Sequence, residues 1–166
     1  FFWSTDHWQL STDQFFVYDE WNVILVLNGR SDNAITHKYA WGLDLSGSLQ
    51  GAGGIGGLLA CEEPGVAEDA ARYWFLYDAN GNVGQVIDAT SFQSLGLTAR
   101  YEYDAYGNTL VAVGVYAAAN PFRFSTKPLD HEAATTNPAG AVGTNGLYYY
   151  GYRYYSPGLG RWVGRD

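Results

Sequence analysis

The sequence predicts an all-β protein built from stacked antiparallel hairpins, and three observations support this. Aromatic residues make up 17% of the 166 residues, with 14 tyrosines and 6 tryptophans, and such rings favour strands. Glycine occurs 21 times, which suits a chain with many tight turns. Short apolar or alternating runs recur between the glycines. Residues 64–72 alone have the composition of one or two helical turns or an ordered loop, so we expect at most one short helix.

Length and charge limit the functions that the chain can have. It is long enough to bury a sizeable core in one domain, or to form one segment of a larger repetitive structure. Its formal net charge is −8, with a pI near 4.6, so it lacks the basic patch that nucleic-acid binding requires. A polybasic membrane-binding face is excluded for the same reason, and no run of 18 apolar residues predicts a spanning helix. We expect neither a nucleic-acid partner nor membrane insertion.

Groups that could carry chemistry are few. Cys61 is the one cysteine, so neither a disulfide nor a Cys-x-x-Cys metal pair is available, and a small buried apolar side chain is its expected role. Residues 51–56 spell Gly-x-Gly-x-x-Gly, but Pro64 leaves no room for the helix that a dinucleotide site needs. The three histidines are too scattered to predict a metal site. We therefore expect no metal and no cofactor.

The first third of the chain predicts strands separated by turns. Residues 8–19 predict two strands around a polar turn, and the apolar run at 23–27 predicts a third. Asn28-Gly29 is a strong hairpin signal. Residues 35–41 then return as a strand with alternating faces.

A six-residue pattern, Tyr-Asp-x-x-Gly-Asn, occurs twice, and residues 18–23 carry a version without the glycine. We expect each tyrosine to stack its ring on the neighbouring hairpin and to place its hydroxyl at the rim. The aspartate is expected to close an Asx-type turn, and Gly-Asn supplies positions that tolerate positive φ. The array is therefore predicted to consist of stacked hairpins. The residues to which we assign this structural role are Tyr77, Asp78, Gly81, Asn82, Tyr103, Asp104, Gly107 and Asn108.

A second tyrosine-rich motif occupies residues 146–166. At period two it predicts a strand with a ladder of phenol rings on one face, and residues 156–159 predict a type II turn that leads into a partner strand. Arg153 and Arg161 are expected to cross-link the strands through cation–π contacts and hydrogen bonds. The predicted unit is a hairpin. The tyrosines of the predicted ladder are Tyr148, Tyr150, Tyr152 and Tyr154.

The order of residues in this motif resembles the core motif of the RHS/YD-repeat family, in which Gly-Leu-Tyr-x-Tyr-x-x-Arg-Tyr-Tyr-x-Pro-x-x-Gly-Arg-[Trp/Phe] follows a series of Tyr-Asp-x-x-Gly-Asn repeats. Residues 120–127, Asn-Pro-Phe-Arg-Phe-Ser-Thr-Lys, match a block that precedes the core motif in the same family. The positions that fall on the core pattern in register are Gly146, Leu147, Tyr148, Tyr150, Arg153, Tyr154, Tyr155, Pro157, Gly160, Arg161 and Trp162.

The repeats and the resemblance together predict three parts of the chain. Residues 1–132 would form the hairpin array, with a glycine-rich connector at 46–57 that is flexible or tightly turning. Residues 133–145 are small, polar and proline-bearing, which predicts an inserted surface loop. Residues 146–166 would form the core-motif hairpin.

The resemblance implies a non-enzymatic β-scaffold, a segment of a shell that in toxin systems encloses a C-terminal effector. Its partners would be the rest of a longer RHS chain and the effector. It would be secreted or at the cell surface, from a bacterial or archaeal source. Many family members cleave themselves beyond this motif, and Arg165 and Asp166 match the start of the element involved. Asp166 is therefore a candidate catalytic residue, but only within a longer parent chain.

Two other functions fit the residues. Stacked hairpins leave open sheet edges that another copy of the chain could complete, which favours a self-assembling extracellular filament or surface subunit. Exposed tyrosines can stack on sugars, which favours a glycan-binding module. Chain length in native material separates the shell from the filament. Glycan-array binding that is lost on Tyr→Ala substitution would favour the third function.

Overall fold

The computed structural model describes residues 13–65, 70–91, 95–130 and 146–164. Within these ranges the prediction of an all-β protein is confirmed, because antiparallel strands are joined by turns and by one short 3₁₀ turn. The predictions for 8–12, 133–145, Arg165 and Asp166 lie outside the described residues. No helix in the described part of the chain is long and apolar enough to cross a membrane.

Eight strands form a large sheet in which each strand pairs with the next one along the chain. Six of the seven pairings contain a register shift, and such bulges bend a strand and increase its twist. The strands are β1 (Gln14–Asp19), β2 (Asn22–Asn28), β3 (Ala34–Trp41), β4 (Leu58–Glu63), β5 (Ala71–Tyr77), β6 (Val83–Asp88), β7 (Gly96–Tyr103) and β8 (Thr109–Val113).

A small sheet follows, with the strand order β12-β11-β10-β9. The 3₁₀ turn at Phe124–Thr126 lies between the two sheets in sequence. The strands of the small sheet are β9 (Leu129–Asp130), β10 (Leu147–Tyr149), β11 (Tyr154–Ser156) and β12 (Arg161–Trp162).

The large sheet buries one of its faces, which we call the inner face. Alternate residues of a strand point to opposite faces, so buried Tyr39 and Cys61 belong to the inner face. Their neighbours Lys38, Glu62 and Arg72 form ion pairs on the opposite face, at 2.9 and 3.1 Å. The buried apolar residues that form the core cluster are Val23, Val26, Tyr39, Leu58, Cys61, Phe75, Val83, Val86, Ala99, Tyr101, Tyr116, Ala117 and Phe122.

The helical turns or loop expected at residues 64–72 end earlier than that, because β5 begins at Ala71. There Arg72 pairs with Glu62 across the strands, and its side chain also reaches that carboxylate. Residues 66–69 lie outside the described ranges. The described residues contain a 3₁₀ turn at Phe124–Thr126.

The hairpin between β2 and β3 turns after Asn28, as predicted, because β2 ends at that residue and Asn28 pairs with Ala34. The residues with positive φ are Asp32 and Asn33, at 51° and 56°. Gly29 instead provides space, since a Cβ there would lie 2.6 Å from the ring of Phe15. A close approach between β1 and the turn, rather than turn geometry, therefore explains this glycine.

Residues 146–164 form three short strands, so the predicted single hairpin with a tyrosine ladder is wrong. The chain already reverses at residues 150–153, where Gly151 has a φ of +91°. Tyr148 is consequently fully buried, whereas Tyr152 is 87% exposed. The second turn follows, with its positive φ at Gly160 and not at Gly158. Gly151 interrupts the alternation on which the ladder prediction depended.

Candidate functional site

The first Tyr-Asp-x-x-Gly-Asn motif forms a turn that its aspartate closes. Asp78 Oδ1 accepts hydrogen bonds from the backbone N–H groups of Asn80 and Asn82, at 2.8 and 3.0 Å, and Oδ2 accepts from Asn82 Nδ2 at 2.8 Å. Gly81 donates its N–H to Asp78 O, with a φ of +74°. Both carboxylate oxygens are therefore used within the turn.

The second motif repeats this arrangement. Asp104 accepts from the backbone N–H groups of Tyr106 and Asn108 and from Asn108 Nδ2, at 2.8 to 2.9 Å. The hydrogen bonds from Asn108 lower the pKa of Asp104. Gly107 has a φ of +87°. The same six letters thus give the same turn at two places.

The tyrosines of the two motifs donate their hydroxyl groups to backbone carbonyls. Tyr103 donates its hydroxyl to Val83 O at 2.9 Å, and Tyr77 donates to Leu58 O. Leu58 and Val83 are the first residues of β4 and β6. Each tyrosine therefore holds the start of a strand in the preceding hairpin, and burial raises the pKa of both phenols.

A third turn of the same design lies at Asp44, which the sequence analysis missed. Asp44 Oδ1 accepts from Ser46 N at 2.9 Å, Gly47 N donates to Asp44 O at 2.9 Å, and Asp44 N donates to Ser48 O at 2.8 Å. Gly47 has a φ of +75°. The available signal was Asp-x-x-Gly-Ser, in which serine replaces the asparagine of the repeat.

Backbone N–H groups replace the missing asparagine side chain at this turn. Ala52 N and Gly54 N donate to Asp44 Oδ2 at 2.6 and 3.1 Å. Burial alone would raise the pKa of Asp44, but these hydrogen bonds and those from Ser46 outweigh it and lower the pKa to about 2. The carboxylate thus fixes the glycine-rich stretch 46–57 in place.

One segment, residues 120–127, contacts all three turn regions, and we call it the strap. Lys127 Nζ donates to Gly53 O at 2.5 Å, in the glycine-rich stretch. Thr126 Oγ1 donates to Gly81 O and accepts from Gly56 N, both at 2.7 Å. A single buried hydroxyl therefore joins two turn regions.

Ser125 also contacts the first repeat turn, and Phe124 reaches the second. Ser125 N donates to Asn82 Oδ1 at 2.8 Å. The ring of Phe124 lies so close to Gly107 that a Cβ there would be 2.7 Å from it. Successive strap residues thus meet the turns in the reverse of their chain order. Gly107 therefore supplies both a positive φ and the space that the strap needs, whereas the space at Gly81 is taken by Ile55 of the glycine-rich stretch.

Buried polar and aromatic side chains anchor the strap to the inner face. Phe122 packs edge-on against Tyr39 and Trp41, with ring centroids 5.0 and 5.8 Å apart. The Arg123 guanidinium is 1% exposed, lies 5.2 Å from the centroid of the Tyr101 ring and donates through Nη2 to a backbone carbonyl at 3.0 Å. Its Nε and Nη1 have no hydrogen-bond partner within the described ranges.

The core motif covers the other side of the strap. Tyr148 and Tyr155 lie against Phe124, at centroid distances of 5.8 and 6.4 Å. Tyr148 donates its hydroxyl to Gly107 O at 3.3 Å, and Asn108 Nδ2 donates to Pro157 O at 3.1 Å. The structure therefore brings the core motif and the second repeat turn together.

The other core-motif residues lie toward the surface. The Arg153 guanidinium lies 4.3 Å from the centroid of the Trp162 ring, and Tyr154 packs on Tyr149 at 5.2 Å. Gly160 gives room to the Tyr106 ring, which a Cβ would approach to 2.9 Å. Arg161 pairs with Ser156 between β11 and β12 and is exposed.

One cluster of titratable groups lies on the inner face away from the strap. Glu63 Oε1 lies 3.3 Å from His37 Nε2 and accepts from the Tyr116 hydroxyl at 2.6 Å. Cys61 beside it is buried, as predicted, and burial raises the pKa of its thiol to about 12. A thiol with that pKa does not supply a nucleophile at neutral pH. The described residues contain no group of three or more side chains that could hold a metal ion.

Comparisons with known proteins relate the chain to parts of much longer ones. It is 34% identical over 102 residues to the toxin subunit YenC1 of Yersinia entomophaga, and the aligned residues cover 61% of this chain and 9% of that protein. It is 29% identical over 157 residues to the tRNA3(Ser)-specific nuclease WapA of Bacillus spizizenii, covering 93% of this chain and 5% of that protein. No protein-family model matches the chain.

The fold is also found in solved structures. The crystal structure of TcdB2-TccC3 matches with a TM-score of 0.55 and 20% sequence identity, over 92% of this chain and 6% of that chain. At this identity the match shows the fold alone. The chain thus has the fold of a small portion of that longer chain.

Proposed function

The chain belongs to the RHS/YD-repeat family, and we propose that it is a wall segment of an RHS shell that encloses a C-terminal effector. The relatives above are members of this family. Similarity to them supports a structural scaffold. The enclosed effector is our extension of that scaffold role.

The strap is the observation that carries this proposal. It joins three turn regions to the core motif, so a row of hairpins becomes one unit. Both carboxylate oxygens of Asp78 and Asp104 accept hydrogen bonds within their own turns, and those of Asp44 accept from its turn and from the glycine-rich stretch. Such groups stabilise architecture and are not available for acid–base chemistry.

The partners follow from the length of the relatives. The chain spans 9% and 5% of the curated proteins that it matches, so its contacts would be with the rest of a longer RHS chain and with the enclosed effector. Secretion or cell-surface display would follow from the role of a delivery shell. Asp166 stays a candidate catalytic residue for self-cleavage of that longer chain.

The test uses the longer polypeptide from native material, examined by electron microscopy and by limited proteolysis. We expect a hollow particle within which a C-terminal segment resists protease until the shell is unfolded by urea. A C-terminal segment digested at the same rate before and after unfolding would contradict the enclosure. In the longer polypeptide produced recombinantly, Asp166→Asn is expected to block self-cleavage without changing the melting temperature.

Self-assembly through the sheet edge is a second candidate function. Strand β1 is at one end of the large sheet among the described strands, and its Phe15, Phe16 and Tyr18 side chains are 44 to 55% exposed. Exposed apolar edges can pair with another copy. Sedimentation velocity distinguishes the two candidates, because a filament subunit grows into larger species with concentration and a shell segment does not.

A further inference from the structure

Three side chains from separate parts of the chain meet on the inner face, and we call them the His37 cluster. His37 belongs to β3, Glu63 is the last residue of β4, and Tyr116 follows β8. His37 Nε2 lies 3.3 Å from Glu63 Oε1, which also accepts the Tyr116 hydroxyl at 2.6 Å. The cluster thus joins two strands to the segment that leads into the strap. The wall function proposed above makes no use of its titratable groups.

The hydrogen bonds around His37 determine how many protons its imidazole carries. Thr36 Oγ1 lies 3.1 Å from Val26 O and 3.0 Å from His37 Nδ1. A carbonyl oxygen only accepts and a hydroxyl has one proton, so the Thr36 proton points to Val26 O and Nδ1 must donate a proton of its own. The Glu63 carboxylate also accepts, so Nε2 must carry a proton as well. All of these contacts are satisfied together only when the imidazole holds both protons and is a cation.

A neutral imidazole would lose one of these contacts. If the remaining proton is on Nε2, Nδ1 accepts the Thr36 proton, and the hydrogen bond from Thr36 to Val26 O is lost. If the proton is on Nδ1, the lone pair of Nε2 faces the Glu63 carboxylate, and the two repel each other. Deprotonation of His37 therefore weakens the attachment of β3 either to β2 or to β4.

The other titratable groups that face His37 keep their charge state near neutral pH. The hydrogen bond from His37 lowers the pKa of Glu63, so this carboxylate is ionised above about pH 5. Burial raises the pKa values of the neighbouring phenols and thiol, which belong to Tyr39, Cys61, Tyr73 and Tyr116. His37 lines a cavity of about 760 Å³, whose other titratable groups are Tyr18, Tyr39, Asp130, Tyr149 and Tyr154. Phenols and carboxylates ordinarily titrate near pH 10 and pH 4, whereas an imidazole ordinarily titrates near pH 6.5.

We propose that the His37 cluster is a pH-sensitive contact, formed with a doubly protonated His37 in mildly acidic solution and weakened as the pH rises through neutrality. The folded chain holds a proton at His37 that the unfolded chain releases near pH 6.5, so stability from this residue falls as the pH rises there. Tyr116 extends the effect, because its backbone O accepts from Asn120 N at 3.0 Å, at the start of the strap. For a shell, which rests on the wall function proposed above, the consequence is a segment held more firmly in an acidic compartment than at neutral pH.

Urea denaturation at pH 5.5 and pH 7.5 tests this contact. The unfolding equilibrium constant should be about twofold to fivefold larger at pH 7.5. His37→Gln keeps an N–H donor near the position of Nε2 but does not titrate, so it should remove the difference. The matched control is Glu62→Gln, because Glu62 pairs with Lys38 at 2.9 Å on the opposite face and both stay charged over this range; the difference should persist. Equal pH dependence in His37→Gln and the original chain would overturn the proposal.

Nitrogen NMR of the imidazole gives an independent test in the folded chain. At pH 5.5 both ring nitrogens of His37 should carry protons, and the loss of the signal in His37→Gln assigns it. Hydrogen exchange of the Asn120 amide measures whether the effect reaches the strap. After correction for the intrinsic exchange rate, protection should be about twofold to fivefold higher at pH 5.5 than at pH 7.5. A neutral imidazole at pH 5.5, or protection of Asn120 that does not change with pH, would overturn the proposal. Both measurements use this chain alone, so their outcome is separate from whether a longer protein encloses an effector.

Discussion

The large sheet and the strap are stabilised in different ways. Every strand of the sheet pairs with its neighbours in sequence, so each hairpin is specified locally. The strap has little regular structure, and its side-chain hydrogen bonds to the turns join residues 43 to 74 positions apart. The sheet can therefore form hairpin by hairpin, whereas its turns become one unit through eight residues that arrive later in the chain.

The largest expected loss of stability is at buried aromatic residues, one in the strap and one in the large sheet. Phe122→Ala in the strap should lower the free energy of unfolding by about 3–5 kcal/mol, as much as Phe75→Ala in β5, because both rings are buried. Urea denaturation measures both. Phe15→Ala, which removes an exposed ring, is the control and should change stability by about 0.5 kcal/mol or less. A loss below about 1 kcal/mol for Phe122→Ala would mean that the strap is a passive covering.

The second effect concerns the hydroxyl that joins two turn regions. Thr126→Val should cost about 2–4 kcal/mol, because Gly81 O and Gly56 N would both lose their partner in a buried place. Thr126→Ser keeps the hydroxyl and should retain most of the stability. Equal melting temperatures for the valine and serine variants would show that these hydrogen bonds contribute little.

Lys127 should give a pH dependence in the alkaline range. Its pKa is about 8 in the folded protein, while the unfolded chain holds the proton up to about pH 10.4. The unfolded state therefore binds more protons between these values, and stability from this residue rises with pH there. Thermal melts from pH 7.5 to 9.5 should show this rise, and Lys127→Met should remove it. An unchanged slope in the variant would refute the assignment.

Asp44 should make stability depend on pH in the acid range. Its folded pKa of about 2 lies below the unfolded value. Its contribution is thus complete above about pH 4 and is lost as the pH falls toward 2. Asp44→Asn should melt lower at pH 6 and lose less between pH 4 and 2 than the original chain. Parallel acid profiles for the two chains would argue against a closing role for this carboxylate.

The smallest effect is expected at the surface of the small sheet. Arg153→Ala should cost about 0.5–1 kcal/mol, since the guanidinium stacks on a Trp162 ring that is partly exposed. Urea denaturation checks this against Arg153→Lys, which retains the charge. A larger loss than that of Thr126→Val would reverse the order of importance between the strap and the small sheet.

The sequence was sufficient to predict features that depend on neighbouring residues. The all-β fold follows from local alternation and turn residues, and the two Asp-x-x-Gly-Asn segments form matching turns. The sequence was insufficient to predict the role of a residue that makes a contact with a distant part of the chain. Gly29 gives space to Phe15, a contact that the turn signal at Asn28-Gly29 does not predict. Gly151 has a φ of +91° and also gives space to Trp21, and it interrupts the alternation on which the ladder prediction depended.

The third turn and the strap illustrate the same limit. At Asp44, N–H groups of Ala52 and Gly54 do the work of an asparagine side chain, and no residue letter records that. The strap sequence matches a pattern of the family. Its eight residues alone do not predict that Thr126 contacts two turn regions.

Hydrogen exchange tests most directly whether the strap and the large sheet form one unit. The backbone N–H groups of Gly56 and Val83 donate to strap atoms, and the N–H of Ser125, within the strap, donates to a turn. We predict that these three exchange with the same free energy as central amides of β5 and β6, and that Thr126→Val lowers protection throughout. Fast exchange at the three amides while β5 and β6 stay protected would show that the strap opens separately, and would contradict a wall held together by it.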